Sequence, residues 1–305
     1  MKVCTVIVTY NGMKWIDECL KSIVNQSEVI VIDNNSTDDT LSYITANFPT
    51  VIVLRQAENL GFGLANNKGI DYAIKNGADA VFLLNQDAFA QTDCIANLKK
   101  SAKDNPEYGI ISPIHLNGDG TEVDYTFLKV TSPFSASNLT SDLILRKFSK
   151  SIYPLKFINA AAWFIPKSVF YKVGGFDPLF FLYGEDDNYC QRVLYHGFKI
   201  GIIPNATIFH DSSNSNYQVG EDGSEKYFRQ FINNVYVKYA DVNTEHYKNL
   251  KKYKRYILKK TLASLLTLKV DKCKLFVSNF KKINILLVRK SVLTNRTEGS
   301  HYLNL

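Results

Sequence analysis

Short apolar runs and helical patterns alternate along the first 115 residues of this 305-residue chain, and this alternation limits the folds open to it. β-Branched and other apolar residues predict strands at 3–9, 29–33, 51–54, 80–85 and 109–114. Apolar residues at helical spacing predict helices near 14–25, 37–47, 63–76 and 93–104. Such spacing is typical of an α/β fold with a doubly wound, mostly parallel sheet.

Three of the predicted strands end in clusters of polar residues. These clusters are residues 9–12 (Thr-Tyr-Asn-Gly), 33–36 (Asp-Asn-Asn-Ser) and 85–87 (Asn-Gln-Asp). Ligands of open α/β sheets bind beyond the carboxyl ends of the strands. We therefore expect the three clusters to converge on one cleft.

The second half of the chain begins less regularly. Residues 116–157 are rich in Ser, Thr, Asp and Asn, and we expect loops there that cross the cleft. Regular patterns follow after this stretch. They predict a helix at 185–196, two short strands at 199–203 and 206–210, and a long helical stretch from about 225 to 290. The sequence thus predicts a ligand-binding domain over residues 1–224 and a helical C-terminal region over residues 225–305.

Positive charge is concentrated in this C-terminal region. Residues 226–305 hold 18 Lys and Arg against 4 Asp and Glu, whereas the net charge of the whole chain is +7. The positive field favours an anionic partner, and the many Tyr, Phe and Leu residues favour a membrane surface over a merely solvated helical face. Nucleic acid is disfavoured because the acidic N-terminal part would repel phosphates.

Cysteine usage and apolar segments bear on the compartment. The five scattered cysteines suggest neither a disulfide framework nor a metal knuckle, which favours a reducing compartment. Residues 3–9 are too short an apolar run for a signal peptide, and no stretch approaches the ~18–20 apolar residues of a membrane span. We expect a cytoplasmic protein, soluble or peripheral to a membrane.

Residues 59–67 (Asn-Leu-Gly-Phe-Gly-Leu-Ala-Asn-Asn) contain two closely spaced glycines. The dinucleotide-binding fingerprint needs a third glycine where Asn66 stands, and the chain has no Gly-x-x-x-x-Gly-Lys-Ser/Thr loop. Nicotinamide-dependent and P-loop enzymes are therefore disfavoured. The segment still suits a loop whose backbone approaches a nucleotide.

Two strand-end aspartates are candidate ligand-binding residues. Asp33 could accept a hydrogen bond from the N3–H of uracil or thymine, although a turn cap is the commoner role in such a run. Asp87 with His210 could bind Mg²⁺ or Mn²⁺, with diphosphate oxygens as further ligands. The alternatives are a turn cap for Asp87 and a packing role for His210.

The helix that starts at Glu185 carries candidate catalytic acids. Glu185 and Asp186 would face the cleft, while Asn188 and Arg192 are four residues apart and could pair. The helix dipole should help to keep a carboxylate ionised at this end, as a general base requires. The dipole also favours acids there whatever their function.

Six blocks taken in order resemble glycosyltransferase family 2, of the GT-A type, and within it the bacterial rhamnosyltransferase-like branch. They are residues 5–11, 31–38, 59–63 with 66–70, 83–87, 173–177 and 183–192. The likeness covers roughly residues 3–211, and the last block is the most specific. The resemblance implies a Rossmann-like GT-A fold and inverting transfer from a nucleoside diphosphate sugar.

The resemblance also implies a role for each candidate residue. Asp186, in the pair with Glu185, would be the general base, and Asp87 with His210 would hold Mg²⁺ or Mn²⁺. The donor would contact Thr9, Tyr10, Asn11, Asp33, Asn59, Gly61, Asn67, Asn85 and Trp163. Asn85 replaces the first acid of the family's Asp-x-Asp motif, which removes one charge from the expected metal site.

The implied substrates belong to surface polysaccharide synthesis in bacteria. The donor would be dTDP-rhamnose, a UDP-hexose or a UDP-N-acetylhexosamine, and the acceptor a glycan or a polyprenyl-diphosphate-linked oligosaccharide. We expect the C-terminal region to dock on the inner face of the cell membrane, at roughly 1 kcal/mol per basic residue near an anionic surface.

Two other functions are open from the residues. A sugar-phosphate nucleotidyltransferase would use a similar domain, but its glycine-rich, lysine-containing phosphate loop is absent from the N-terminus. A non-catalytic glycan-binding protein on the same fold is the second, and retention of Asp33, Asp87 and Asp186 together argues against it.

Overall fold

The computed structural model describes residues 1–132, 134–212, 221 and 224–305, which form a mixed α/β structure. The strands in this part of the chain are β1 (Val3–Thr9), β2 (Glu28–Asp33), β3 (Ile52–Arg55), β4 (Ala80–Asn85), β5 (Ala88–Ala90), β6 (Tyr108–Asn117), β7 (Tyr153–Leu155), β8 (Ala162–Pro166) and β9 (Lys199–His210). The helices are α1 (Ile16–Ile23), α2 (Thr40–Asn47), α3 (Phe62–Lys75), α4 (Cys94–Asp104), α5 (Tyr125–Val130), α6 (Leu139–Leu145), α7 (Lys167–Val173), α8 (Glu185–Tyr195), α9 (Glu225–Tyr239), α10 (Leu250–Leu266), α11 (Val270–Lys282) and α12 (Ile285–Asn295).

The sheet is parallel on one side and mixed on the other. Strands β3, β2, β1 and β4 are parallel neighbours, built from the apolar runs that the sequence predicted. Beyond β4 the order continues with β8, β6, β9 and β5, and β8 is antiparallel to β4. The predicted α/β sheet is confirmed, with antiparallel strands extending its parallel half.

The register of the parallel strands brings polar strand ends together. Thr9 on β1 is level with Asp33 on β2, and Val8 is level with Asn85 on β4. Neighbouring strands lie about 4.8 Å apart. The ends of β2, β1 and β4 therefore lie side by side at the edge where such sheets bind ligands.

Two predictions in the irregular part of the chain were wrong. The stretch 116–157, expected to be loops, contains helices α5 and α6 and strand β7. The two strands expected at 199–203 and 206–210 are one strand, β9, which pairs with β6 on both sides of an irregularity between Ser112 and Ile114. Because β9 pairs with the long strand β6, the chain stays extended where its local sequence suggests a break between two strands.

Ser36 does not cap the helix that follows it in sequence. Helix α2 begins at Thr40, whose amide donates a hydrogen bond of 3.1 Å to Asp38 Oδ1. The Ser36 hydroxyl instead accepts a hydrogen bond from the Asn11 amide at 3.0 Å. Ser36 thus joins the turns that follow β1 and β2.

Helices α9 to α12 confirm the predicted helical C-terminal region. Their apolar faces form a shared cluster that includes Tyr236, Leu250, Ile257 and Val288. Phe180, from the segment before α8, is buried in the same cluster. The C-terminal helices therefore pack against the segment that leads to the predicted catalytic acids.

No helix in the described residues is both long enough and apolar enough to cross a membrane.

Candidate active site

Gln86 joins the ends of β1 and β4. Its side-chain oxygen accepts hydrogen bonds from the Thr9 hydroxyl at 2.7 Å and from the Tyr10 amide at 3.0 Å. Thr9 is buried, whereas the ring of Tyr10 is exposed. Asn11 has a left-handed backbone, and its side chain accepts a hydrogen bond from the Thr37 amide at 2.8 Å. Of the three predicted donor-binding residues at this strand end, Tyr10 and Asn11 are exposed and Thr9 is not.

Asp33 is fully buried at the carboxyl end of β2. Its Oδ1 accepts a hydrogen bond from the Ser36 amide at 3.2 Å, and its Oδ2 has no hydrogen-bond partner among the residues that the structure describes. A buried acceptor without a partner costs about 1–3 kcal/mol. A ligand that donated a hydrogen bond to Oδ2 would recover that free energy.

Asn34 and Asn59 shape the loop before α3. Asn34 Nδ2 donates a hydrogen bond to Asn59 Oδ1 at 2.9 Å, and Asn34 Oδ1 accepts one from the backbone amide of Leu60 at 2.8 Å. Gly61 has φ of +77°, and a Cβ at this position would collide with the carbonyl oxygen of Phe181. The loop is thus held against the segment that leads into α8.

A cavity of about 380 Å³ lies among the ends of β4 and β9 and the start of α8. It is large enough for part of a small-molecule ligand. Asp87 and His210 line it from the sheet, and Glu185, Asp186 and Asp187 line it from the first turn of α8. Residues more than a hundred positions apart in sequence therefore share one space.

Asp33 lies at the same edge of the sheet but does not line this cavity. Of Asp33, Asp87 and Asp186, the two that line the cavity are Asp87 and Asp186. Strand β2, which carries Asp33, is separated from β4 by β1. Asp33 therefore lies two strands away from the end of β4, at the same edge of the sheet.

His210 lies between two carboxylates. Its Nε2 is 3.5 Å from Asp87 Oδ1, and its Nδ1 is 3.3 Å from Asp124 Oδ2. Burial disfavours the charged ring, but the contacts with Asp124 and Asp87 outweigh burial and raise the pKa of His210 to about 9. Burial also disfavours the charge of Asp124, yet His210 and the hydroxyls of Ser212 and Thr126 hold its pKa well below the ordinary value.

These side chains suit a divalent cation only in part. Asp87 offers a carboxylate oxygen, His210 offers Nε2, and the buried Asn85 Oδ1 has no hydrogen-bond partner in the described part of the chain. Asp124 lies behind His210, as carboxylates commonly do behind metal-binding histidines. Across the described residues, no group of three or more His, Cys, Asp or Glu side chains could hold a metal ion. A cation here would need oxygen ligands from a substrate.

Burial dominates the electrostatics of the three acids on α8. It raises the pKa of Glu185 to about 8 and that of Asp187 to about 7, and the charge of Asp186 adds to both shifts. Burial likewise raises the pKa of Asp186, and backbone donors such as the Asp187 amide at 2.9 Å offset only part of this. The sequence predicted that the helix dipole would keep such a carboxylate ionised, but desolvation is the larger effect. A raised pKa makes the ionised carboxylate a stronger base.

Two of the predicted donor-binding residues make contacts in the interior. The side-chain amide of Asn67 bonds to the backbone N–H and carbonyl of Phe176, at 2.7 and 2.9 Å. Trp163 is fully buried on β8, and its ring stacks on Phe176 with centroids 6.2 Å apart. Both side chains pack against Phe176 in the interior, and their contact with the donor stays a prediction.

The predicted pair of Asn188 and Arg192 is not formed. Arg192 is fully buried and donates hydrogen bonds to the carbonyl oxygens of Gly175, at 2.6 Å, and Val173. These carbonyls lie at the end of α7, where a cation is favoured. The side-chain amide of Asn188, also buried, has no hydrogen-bond partner among the described residues.

Asp124 is the site residue that sequence reasoning missed. It lies in the stretch expected to be loops, where it caps α5 by accepting a hydrogen bond from the Phe127 amide at 2.8 Å. An aspartate before a short helix is a common cap and gives no hint of a contact with His210. Only the folded chain shows that contact.

The comparisons with known proteins assign this α/β domain to a class of transferases. A family model described as Glycosyl transferase family 2 matches residues 4–163, and the chain belongs to this family. It is 26% identical over 233 residues to the N-acetylglucosaminyl-diphospho-decaprenol L-rhamnosyltransferase of Mycobacterium tuberculosis, covering 69% of this chain and 76% of the relative. It is also 26% identical over 207 residues to the dTDP-rhamnosyl transferase RfbF of Shigella flexneri, covering 67% of each. The predicted family and glycosyltransferase class are therefore confirmed.

Solved structures confirm the GT-A fold. Staphylococcus aureus TarS, residues 1–349, matches with a TM-score of 0.50 and 14% identity, over 97% of this chain and 89% of that chain. GalNAc-T7, solved with UDP, GalNAc and Mn²⁺, matches with a TM-score of 0.53 and 19% identity. That match covers 77% of this chain and 48% of the other, so this chain spans about half the length of GalNAc-T7. At these identities the likeness concerns the fold alone.

Proposed function

We propose that this glycosyltransferase moves a sugar from a nucleoside diphosphate sugar to an acceptor hydroxyl, with inversion at the anomeric carbon. The observation that carries the proposal is the cavity that Asp87 and His210 share with Asp186. A diphosphate near the first two side chains and a hydroxyl near the third would meet in one space. Separate pockets would not permit direct transfer.

The residues of α8 provide the proton acceptor. The acceptor oxygen attacks the anomeric carbon while the bond from that carbon to the diphosphate oxygen breaks, and the electron pair leaves with the nucleoside diphosphate. Asp186 takes the hydroxyl proton as general base, and its raised pKa suits this role. Glu185, with a pKa of about 8, holds its proton near neutral pH and adds no second negative charge beside the base.

We place Mg²⁺ or Mn²⁺ at Asp87 and His210, with Asn85 beside them. When bound, the cation would neutralise charge on the diphosphate. Asp124 would fix the His210 ring by accepting a hydrogen bond from Nδ1, so that Nε2 is presented to the site. The presence of Mn²⁺ in the GalNAc-T7 structure is in keeping with this assignment.

The proposed donor is a pyrimidine nucleotide sugar: dTDP-rhamnose, a UDP-hexose or a UDP-N-acetylhexosamine. The vacant hydrogen-bonding capacity of Asp33 Oδ2 supports a base with an N3–H group. Thr9, Tyr10, Asn11 and the Asn59–Gly61 loop would surround the nucleoside. The two rhamnosyltransferases among the relatives support dTDP-rhamnose as the first donor to test.

The proposed acceptor is a glycan or a polyprenyl-diphosphate-linked oligosaccharide in bacterial surface polysaccharide synthesis. The lipid-linked acceptor named for the mycobacterial relative supports this choice. Such an acceptor would place the enzyme in the cytoplasm, at the inner face of the membrane, as a peripheral protein.

Replacement of Asp186 tests the mechanism. Asp186→Asn should lower the rate of sugar transfer by about 10²–10⁴, because the proton acceptor is lost. Binding of UDP or dTDP with Mn²⁺, measured by calorimetry, should be unchanged within about twofold because the base does not touch the nucleotide. Asp187→Asn, in the same turn and the same cavity, is the matched control and should retain most of the activity.

The same assays distinguish the alternatives. Full transfer by Asp186→Asn together with loss in Asp187→Asn would move the base to Asp187. Pyrophosphate release from UTP or dTTP with a sugar 1-phosphate would indicate a nucleotidyltransferase. Binding of glycans without transfer or hydrolysis of any donor would indicate a non-catalytic protein.

A further inference from the structure

The turn between α10 and α11 exposes a cluster of apolar side chains, which we call the hairpin tip (residues 262–274). Every residue from Leu265 to Lys272 is exposed. Leu266 and Leu268 are each 85% exposed, and Leu262, Leu265 and Val270 are more than half exposed. Contiguous exposed apolar side chains of this kind mark an interaction surface.

Packing of the hairpin does not explain these leucines. On the last three turns of α10 the buried residues are Ile257, Thr261 and Ser264, of which two are small and polar. The larger apolar side chains of Leu262, Leu265 and Leu266 are exposed. They do not belong to the cluster that buries Ile257. Their apolar surface is therefore available to a partner.

Basic side chains surround the hairpin tip. The exposed lysines among residues 259–274 are Lys259, Lys260, Lys269, Lys272 and Lys274, and the acid in this range is Asp271. An apolar centre with a basic rim complements an anionic lipid bilayer, since leucines can enter the acyl region while lysines remain at the phosphates. The same rim would repel a second copy of this chain.

We propose that the hairpin tip inserts into the surface of an anionic bilayer, with Leu266 and Leu268 entering the apolar layer. The chemistry of the tip, apolar at its centre and basic at its rim, selects a phospholipid surface. This attachment does not depend on which sugar the enzyme transfers. It also differs from docking by charge alone, because apolar insertion persists when salt screens the lysines.

The hairpin is connected to the active-site cavity by direct contacts. The Asn279 amide on α11 lies 3.2 Å from the hydroxyl of Tyr227 on α9. Asn233, also on α9, donates a hydrogen bond of 2.6 Å to the carbonyl of Leu182, which lines the cavity. Insertion of the tip would therefore hold the cavity close to a membrane-borne acceptor.

Vesicle sedimentation of the 305-residue protein tests the proposal. The probe is vesicles of equimolar phosphatidylglycerol and phosphatidylcholine, compared with phosphatidylcholine alone, at ~0.1 M and ~1 M NaCl. The variant is Leu266→Ser with Leu268→Ser. The matched control is Ile144→Ser with Leu145→Ser on α6, whose side chains are 76% and 71% exposed.

The wild type and the control should bind the anionic vesicles and keep part of that binding at high salt. The variant should lose at least about tenfold in partitioning, and its binding should vanish at high salt, because two leucines no longer leave water.

Unchanged partitioning of the variant, or equal binding of the wild type to neutral vesicles, would overturn the proposal. So would self-association in sedimentation velocity that the variant abolishes, since this would assign the tip to a second copy. Unaltered donor hydrolysis in the variant would show that a loss of binding does not come from unfolding.

Discussion

The side-chain amide of Asn295 donates a hydrogen bond of 2.6 Å to the carboxylate of Asp177, 118 positions earlier in the chain. The same carboxylate oxygen accepts from the Ser291 hydroxyl at 2.6 Å and from the Tyr302 hydroxyl at 3.2 Å. Its other oxygen accepts from the Leu179 amide at 2.9 Å. The last helix thereby holds the segment that carries Leu182 and the acids of α8 into the cavity.

Loss of the Asn295 contact should destabilise the protein. We expect Asn295→Ala to lower the free energy of unfolding by about 1.5–3 kcal/mol, since a hydrogen bond to a buried carboxylate is removed. Urea unfolding measures the change. Leu293→Ala, at an exposed position on the same helix, is the control and should change it by less than about 0.5 kcal/mol. Equal effects of the two changes would show that the link to Asp177 contributes little.

Removal of the charge behind His210 should weaken metal binding. Asp124→Asn leaves the His210 ring without the carboxylate 3.3 Å from its Nδ1. We expect the affinity for Mn²⁺ in the presence of UDP to fall about 10–100-fold, as for other changes behind a metal-binding histidine. Calorimetric titration of Mn²⁺ gives the value. Asp104→Asn, an exposed replacement at the end of α4, should leave it unchanged, and an unaltered affinity in Asp124→Asn would argue against His210 as a ligand.

The buried acid Glu185 should make stability depend on pH. Its pKa is about 8 in the folded protein against 4.5 ordinarily, so the folded state holds a proton that the unfolded chain releases between these values. This contribution to stability is full below pH 4.5 and is lost as pH rises through 8. Glu185→Gln stays neutral, and at pH 8 we expect it to be more stable than the wild type by an amount on the order of a few kcal/mol.

Unfolding free energies measured from pH 5 to pH 8 test this expectation. The wild-type value should fall over the range, and the fall should be smaller in Glu185→Gln. Glu225→Gln, at the exposed start of α9, should follow the wild-type profile. Parallel profiles for the wild type and Glu185→Gln would show that Glu185 is ionised throughout.

A methyl group at Gly61 should disturb the loop before α3. Gly61 and Gly77 both have positive φ, at +77° and +85°, but only at Gly61 would a Cβ meet the backbone of Phe181, whereas nothing lies within 4 Å at Gly77. We expect Gly77→Ala to cost about 1 kcal/mol of stability and Gly61→Ala clearly more. Thermal unfolding compares the two. Equal losses would mean that the contact with Phe181 gives way easily.

Local patterns predicted most of the parallel half of the sheet. Strands β1, β2 and β4 are apolar runs bounded by polar turns, and the structure has them within about one residue of the predicted ends. The mixed half was harder to predict, because β7 and β8 are short and pair with strands distant in sequence. Pairing of that kind depends on neighbours that no local pattern reveals.

Some of the side chains that line the candidate site were also singled out from the sequence. Asp87 and Asp186 stand in recognisable sequence blocks, and the structure brings them to one cavity with His210. Asn67 stands in such a block too, yet its side chain is engaged with Phe176 in the interior. A block in the sequence identifies a position in the chain but does not show which way its side chain faces.

The sequence by itself determined the strand–helix order, the polar strand ends, the family and the basic character of the C-terminal region, because these follow from residue type and spacing. Only the tertiary structure decided that His210 lies between Asp87 and Asp124, that burial raises the pKa of the α8 acids, and that leucines project from the hairpin tip. The physical reason is that desolvation and charge–charge interaction depend on distances between residues far apart in the chain, and these distances exist only once the chain has folded.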